Sequence, residues 1–204
     1  VHDRVITALY EGCPEEKKLV TGFKYTPADV GVVFGVYKSK VPVSWPRGEV
    51  YRAHRGDGAD MVVLETGYIK RGDGPNDYYA AGINGLNGRA DFRNKNSPEG
   101  RWQALGIPLT PWRVGGGHVV VCGQVPWDAS VDHLDYPKWV KETLETLPNL
   151  TDRRIVYKEH PCIEPGPPLR DYLKDAWACV TLNSNSAVEA VIAGIPVFVA
   201  DQGS

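Results

Sequence analysis

Residues 180–199 read VTLNSNSAVEAVIAGIPVFV, and the fold is decided by how this stretch is parsed. Val180, Thr181 and Leu182 form a β-branched, apolar run, and Asn183, Ser184, Asn185 and Ser186 interrupt it with residue types that start helices. The next seven residues, 187–193, have helical character, with Glu189 three positions after Ser186. Gly194 stops the helix, and residues 195–199 begin another strand. Strand, loop, helix, strand is the unit of an open α/β sheet. Such a unit brings a helix N-terminus beside the carboxyl end of a strand, where these sheets bind phosphate. Short hydroxyl side chains there let a phosphate approach the backbone, and Glu189 is placed to accept hydrogen bonds from ribose hydroxyls. The competing reading is a capping box, with Glu189 bonded back to the cap.

Upstream, the same alternation repeats. Residues 118–122 (HVVVC) are a buried-type strand, followed by the loop 123–130 (GQVPWDAS). Residues 134–147 have helical periodicity, 154–158 (RIVYK) form the next strand, and Glu159, His160 and Pro161 end it. Residues 169–177 are helical and lead into the opening stretch. This β-α-β-α-β-α-β order predicts a parallel sheet with helices on both faces. It gathers three loops, 123–130, 158–161 and 183–186, at one sheet edge.

The first half is less regular. Residues 5–10 read as a strand, 14–20 as a short helix and 30–37 as a second apolar strand. Residues 39–55, with Lys38 just before them, read as a loop and strand face carrying Lys40, Arg47, Arg52 and Arg55 among Trp45 and Tyr51. Residues 61–64 (MVVL) form a buried strand, and Glu65 follows at its carboxyl end, where a general base would sit. Residues 82–88 (GINGLNG) read as a tight loop, with Arg89, Asp91, Arg93 and Lys95 directly after it. The loop lacks the GxGxxG-then-helix form of a dinucleotide fingerprint.

The 204 residues, 42% hydrophobic and 10% aromatic, suffice for one large domain or two small ones and exclude a disordered chain. No apolar run reaches a membrane-spanning length of roughly 18 residues, and no leader is visible, so a cytoplasmic setting is expected, host cytoplasm if the source is viral. Cys13, Cys122, Cys162 and Cys179 have neither metal-ligand nor CxxC spacing and read as free thiols. Composition shifts at Val114 and the triple glycine 115–117, which suggests domains of 1–113 and 114–204. The first of these holds 16 Lys and Arg against 13 Asp and Glu, net +3, and the second 7 against 12, net −5. That asymmetry is too small for a domain that binds nucleic acid by charge alone.

GQVPWDAS, then KEHP at 158–161, then NSNSAVEA with Gly194 and Pro196, resemble the capsule-polysaccharide Kdo transferases. More distantly they are similar to bacterial sialyltransferases with two facing Rossmann-like domains. ETGYIK at 65–70 is similar to the acid-acid-Gly segment of those enzymes, with Thr66 where their second acid stands. The resemblance implies an α/β protein of two Rossmann-like domains facing across a cleft (GT-B-like), the second incomplete at the C-terminus. It implies a glycosyltransferase that takes a sugar from a nucleotide-activated donor without a metal or further cofactor. By the same resemblance His160 contacts the donor phosphate, Glu189 holds the nucleotide, and Gln124, Asp128, Ser130, Ser184 and Asn185 line the donor site; Lys158 and Ser186 join them by position, as a charge and a hydroxyl beside the same phosphate. Glu65 is the expected base and Asp91 its rival. Arg89, Arg93 and Lys95 are expected on the acceptor side, the acceptor being a glycan. The alternatives are a phage-type transferase acting on hydroxymethylated DNA bases, a non-catalytic nucleotide-sugar-binding module, and an epimerase-like enzyme.

Overall fold

A computed structural model describes residues 2–19, 25–35, 46–71, 78–91 and 96–202. The chain divides into two compact units, Val1–Arg93 and Asn94–Ser204. It is a mixed α/β protein with one sheet in each unit.

The second unit follows the alternation expected from the sequence. Its strands are β4 (His118–Cys122), β5 (Arg154–Lys158), β6 (Ala176–Thr181) and β7 (Val197–Val199), all parallel in the order β5-β4-β6-β7. The helices between them are α4 (Tyr136–Thr146), α5 (Leu169–Leu173) and α6 (Ser186–Ile192). Alternation along β4 separates two packing faces. Val120 and Cys122 pack with Leu173, Cys179, Ala190 and Ile195 under α5 and α6, while Leu182 packs with Val131 and Tyr136 beside α4. Successive strands leave β4 on opposite sides, β5 one way and β6 the other. The carboxyl ends of β4 and β6 therefore flank a topological switch point, the place where such sheets bind ligands.

A strap formed by residues 107–116 fastens this unit. Thr110 N–H donates to Ile192 O (3.0 Å) and Arg113 N–H to Gly194 O (2.8 Å), which satisfies carbonyls at the end of α6. Arg113 Nη1 donates to Leu173 O, Lys174 O and Ala176 O at 3.0, 2.7 and 3.1 Å. These bonds tie residues 110–113 to the second unit, which also contains helix α3 (Gly100–Leu105), although composition changes at Val114.

The first unit holds β1 (Val30–Phe34), β2 (Asp60–Thr66) and β3 (Tyr79–Ile83), in the order β1-β2-β3, with helix α2 (Pro46–Gly56) joining the parallel pair β1 and β2. β3 runs antiparallel to β2, so this sheet is not the all-parallel kind. Several local expectations are corrected here. Residues 5–10 are not a strand but part of helix α1 (His2–Gly12). Short apolar runs do not distinguish the two, and the 5, 9 and 6, 10 spacings suit one helix stripe. Residues 14–19 form no helix, and Val20 lies outside the described residues. The basic-aromatic stretch is helical from Pro46, with proline at the start, Glu49 in the first turn and Arg55 in the last. Lys38, Lys40 and Trp45 lie outside the described residues. Gly82 lies in β3, and the tight turn is confined to residues after it. A Cβ on Gly82 would come within 2.1 Å of Gly85 O. No helix among the described residues is long and apolar enough to cross a membrane.

Replacing Arg113 with alanine leaves two carbonyls at the end of α5 and one at the start of β6 without their charged donor. The second unit should lose about 2 kcal/mol, read as a lower midpoint in urea unfolding, and Arg113→Lys should recover little of it.

Candidate functional site

Parallel pairing places Cys122 directly opposite Lys158 on one side and Thr181 on the other. The residues that follow, Gln124, His160 and Ser184, therefore leave the sheet at one edge, with the β5 and β6 chains about 10 Å apart, two strand spacings. The three loops singled out in the sequence do converge.

The floor of the switch point is a buried amide pair. Gln124 is 6% and Asn183 5% exposed. Gln124 Nε2 donates to Asn183 Oδ1 (2.6 Å), and Asn183 N–H donates to Gln124 Oε1 (3.0 Å). Asn183 Nδ2 donates to Ser130 O (2.9 Å) and to Asp201 Oδ2 (2.7 Å). Gln124 is thus committed to the scaffold rather than offered to a ligand. Asn183 and Asp201, neither predicted as a site residue, complete the network. Asn183 is the first polar residue past β6, and that position was the signal available for it.

On the β5 side, Lys158 is buried to 9% exposure, its Nζ donating to Glu159 O (3.3 Å) and lying 5.6 Å from the centre of the Tyr172 ring. Those contacts leave hydrogen-bonding capacity on a cation that is costly to bury. His160 N–H donates to Glu159 Oε1 (2.7 Å), and Cys162 N–H donates to His160 Nδ1 (3.2 Å). With Nδ1 accepting, the neutral ring carries its proton on Nε2 and presents a donor. Behind it, Tyr157 donates to Glu159 Oε2 (3.2 Å), and Gln124 N–H donates to the Tyr136 oxygen. Burial raises the pKa of Tyr157, and Tyr136 and the Glu159 carboxylate raise it further. Burial also raises that of Tyr136.

On the β6 side, α6 begins at Ser186, and its N-cap residue Asn185 makes no side-chain cap bond. Ser184 Oγ accepts from Ser186 N–H (3.2 Å) instead, and Glu189 is exposed. The capping-box geometry is therefore absent. The buried Ser186 hydroxyl has no nitrogen or oxygen partner among the described residues and lies beside the Cys122 thiol. That thiol is 3.7 Å from Cys179, whose hydrogen bond lowers the Cys122 pKa, with Ser186 lowering it further. All four cysteines are free. α6 spans seven residues, Ser186–Ile192.

Asp128 is exposed and accepts from Ser130 N–H through Oδ1 (2.8 Å). In the first unit, Glu65 lies near the carboxyl end of β2, with Oε1 accepting from Thr66 N–H (2.9 Å), and Thr66 is exposed. Asp91 accepts from Asn84 Nδ2 (2.7 Å), which also donates to Asp60 Oδ1 (3.0 Å). That anchors Asp91 at the amino end of β2, about 16 Å of strand from Glu65. The structure does not bring the two carboxylates together. Arg89 is exposed at the end of a 3-10 turn, Asn87–Arg89, while Arg93 and Lys95 lie outside the described residues.

The class these features define is a mixed α/β protein with a parallel, Rossmann-like sheet and a polar switch point. Among solved structures, the chain is similar in fold to Thermosulfurimonas dismutans KpsC, a beta Kdo 2,7 transferase, with TM-score 0.53 and 22% identity over 84% of this chain. The match covers 64% of the length of that transferase, and it establishes a distant likeness of fold. No protein-family model matches the chain, and no curated protein does either.

Asn183→Ala would remove the acceptor of Gln124 Nε2 and the donor to Ser130 O and Asp201 Oδ2, and should cost about 3 kcal/mol in equilibrium unfolding. Asn183→Asp should also destabilise, because it sets a second carboxylate against Asp201. The tyrosines add a pH signature. Their folded pKa values lie above the unfolded value of about 10, so their contribution is fully present below that pH and lost as pH rises through the folded values. Unfolding measured from pH 9 upward should show a shallower alkaline loss in Tyr157→Phe.

Proposed function

We propose that the chain is a glycosyltransferase that moves a sugar from a nucleotide-activated donor to an acceptor hydroxyl. The observation that carries the reading is the convergence of 123–130, 158–160 and 183–186 at the switch point of the parallel sheet, with a buried lysine and a proton-donating imidazole on one side of it. The fold likeness to a Kdo transferase is consistent with it.

In this reading the second unit holds the donor. Lys158 neutralises charge on the leaving phosphate, the Nε2–H of His160 donates a hydrogen bond to it, and Ser184, Asn185 and Ser186 hold its oxygens. Glu189 binds the nucleotide. The chemistry runs on these side chains without a metal. The first unit presents the acceptor, a glycan hydroxyl, with Arg89, Arg93 and Lys95 on the acceptor side. Glu65 takes the proton as the acceptor oxygen attacks the anomeric carbon, and the bond to the phosphate oxygen breaks. Asp91, held by Asn84, serves the fold of the turn.

A second reading has one observation in its favour: Thr66 stands beside Glu65 in place of an acid, which suits a non-catalytic nucleotide-sugar-binding module.

Two variants test the proposal with a panel of nucleotide sugars and mass spectrometry of the products. His160→Ala should stay folded and lose about 10²–10³ in turnover. Glu65→Gln should bind nucleotide normally and lose about 10²–10⁴ in transfer rate. Donor binding with no transfer or hydrolysis in the unmodified chain would establish the binding-module reading instead.

A further inference from the structure

The carboxyl end of β2 carries a second feature besides the Glu65 carboxylate. β2 and β3 pair antiparallel, with Glu65 opposite Ala80 and Thr66 opposite Tyr79. Side chains along each strand alternate between two faces. Met61, Val63 and Ala80 pack with Val50 and Tyr51 of α2, so Glu65 and Ala80 lie on the face where α2 packs. Burial agrees with this assignment. Met61, Val63 and Gly82 on that face are buried, whereas Val30, Val32 and Ala81 on the other are exposed.

Tyr78 directly precedes β3. Tyr79 is in the strand, and its ring meets Phe34 edge-on across the other face, 6.2 Å between centroids. Tyr78 therefore returns to the face of Ala80 and Glu65. It is the diagonal cross-strand neighbour of Glu65, and such pairs stand about 7–8 Å apart, within reach of an aromatic ring.

The backbone of Tyr78 is fixed on both sides. Its carbonyl accepts from Gly67 N–H (2.9 Å), and its N–H donates to Lys70 O (3.3 Å). This approach requires glycine at position 67, where a Cβ would come within 2.4 Å of Tyr78 O. The Tyr78 side chain, by contrast, is 43% exposed and makes no hydrogen bond or ring contact among the described residues. Glu65 is half-buried, and its Oε2 has no hydrogen-bond partner among the described residues. A held backbone thus presents an uncommitted phenol ring beside an uncommitted carboxylate oxygen.

That pair suits a pyranose. The C–H side of the sugar lies on the aromatic ring, and a hydroxyl at its rim donates to the carboxylate. A base flipped out of a duplex fits less well. Flipped bases are held in closed pockets and bring phosphates that need cations. Tyr78 is an open shelf. Arg89, the described member of the basic stretch, follows β3 and lies with Asp91 at the opposite end of the sheet.

We infer that Tyr78 is the platform for the acceptor: the terminal pyranose ring of a glycan lies on it with a hydroxyl against Glu65. The inference rests on the transferase reading given above. It sets recognition of that ring in the turn between β2 and β3 rather than among the basic residues after β3.

Saturation-transfer NMR on the whole chain tests it. The probes are methyl glucoside, methyl galactoside, methyl mannoside and methyl N-acetylglucosaminide, with hydroxymethyl-deoxycytidine beside them. At least one glycoside should bind, with saturation strongest on the C–H protons of one ring face. Tyr78→Ala should weaken that binding about tenfold, and Tyr78→Phe should keep it. Glu65→Leu should also weaken it about tenfold, through loss of the hydroxyl's acceptor. Thermal unfolding of each variant separates lost binding from lost fold, and Tyr78→Leu, with the same expected loss, replaces Tyr78→Ala if that variant does not fold. No binding of any glycoside, binding untouched by either Tyr78→Ala or Glu65→Leu, or tighter binding of the nucleoside than of every glycoside overturns the inference. Each of those results leaves the donor reading standing, because that reading is decided by the nucleotide-sugar panel. If the glycosides bind as expected but no nucleotide sugar binds or reacts, the transferase reading falls and the assignment of the ring as an acceptor falls with it.

Discussion

The second unit depends on one constraint: Gln124 and Asn183 can be buried only if each satisfies the other. Two primary amides at the ends of neighbouring parallel strands would otherwise leave several donors and acceptors out of water, at a cost of a few kcal/mol. Pairing them side chain to side chain and side chain to backbone removes that cost. It also fixes the ends of β4 and β6 in one register and ties the loop at Ser130 and the turn at Asp201 to the same point. The switch point is then a closed polar floor, and the side chains around it stand on a rigid base.

Around that floor the chemistry is divided along the edge. Lys158 and His160 lie at the end of β5, hydroxyls at the end of β6, and aspartates with the exposed Trp127 on the loop after β4. The β5 end is braced from behind by Tyr136, Tyr157 and Glu159. The bracing requires a residue without a side chain at Gly123, where a Cβ would come within 2.6 Å of the Tyr157 hydroxyl and 2.8 Å of Glu159 Oε1. The glycine that opens the loop is therefore a packing requirement for the imidazole that closes it.

The first unit is organised by a different device. Asn84 adopts a left-handed backbone, φ 60°, which asparagine tolerates better than most residues. In that position its Oδ1 accepts from Met61 N–H (2.9 Å) and its Nδ2 reaches Asp60 and Asp91. One amide thus turns the chain out of β3 and neutralises the hydrogen-bonding needs of two carboxylates. This is why Asp91, the expected rival of Glu65 as base, is remote from it along the strand.

The sequence by itself determined the second unit's class. Its β-branched runs are bounded by clear helix starts and stops, and parallel alternation leaves little freedom in which loops share an edge. Strands 118–122 and 154–158, the helix before 147 and the unit that follows Val180 were all legible for that reason. Lys158, His160 and the 183–186 loop were legible because position after a strand is a sequence property. Three-dimensional pairing decided the rest. Whether residues 5–10 form helix or strand depends on what they pack against, since a short apolar run satisfies both periodicities. The helix beginning at Pro46 carries basic residues that equally suit an exposed loop and strand face, and only its end signals, Pro46, Glu49 and Arg55, mark it as helical. That Gln124 faces inward, that Asp201 returns to Asn183 and that Asp91 is held by Asn84 are hydrogen bonds between residues distant in sequence. No local pattern encodes them, because a buried amide finds its partner only after the strands have paired.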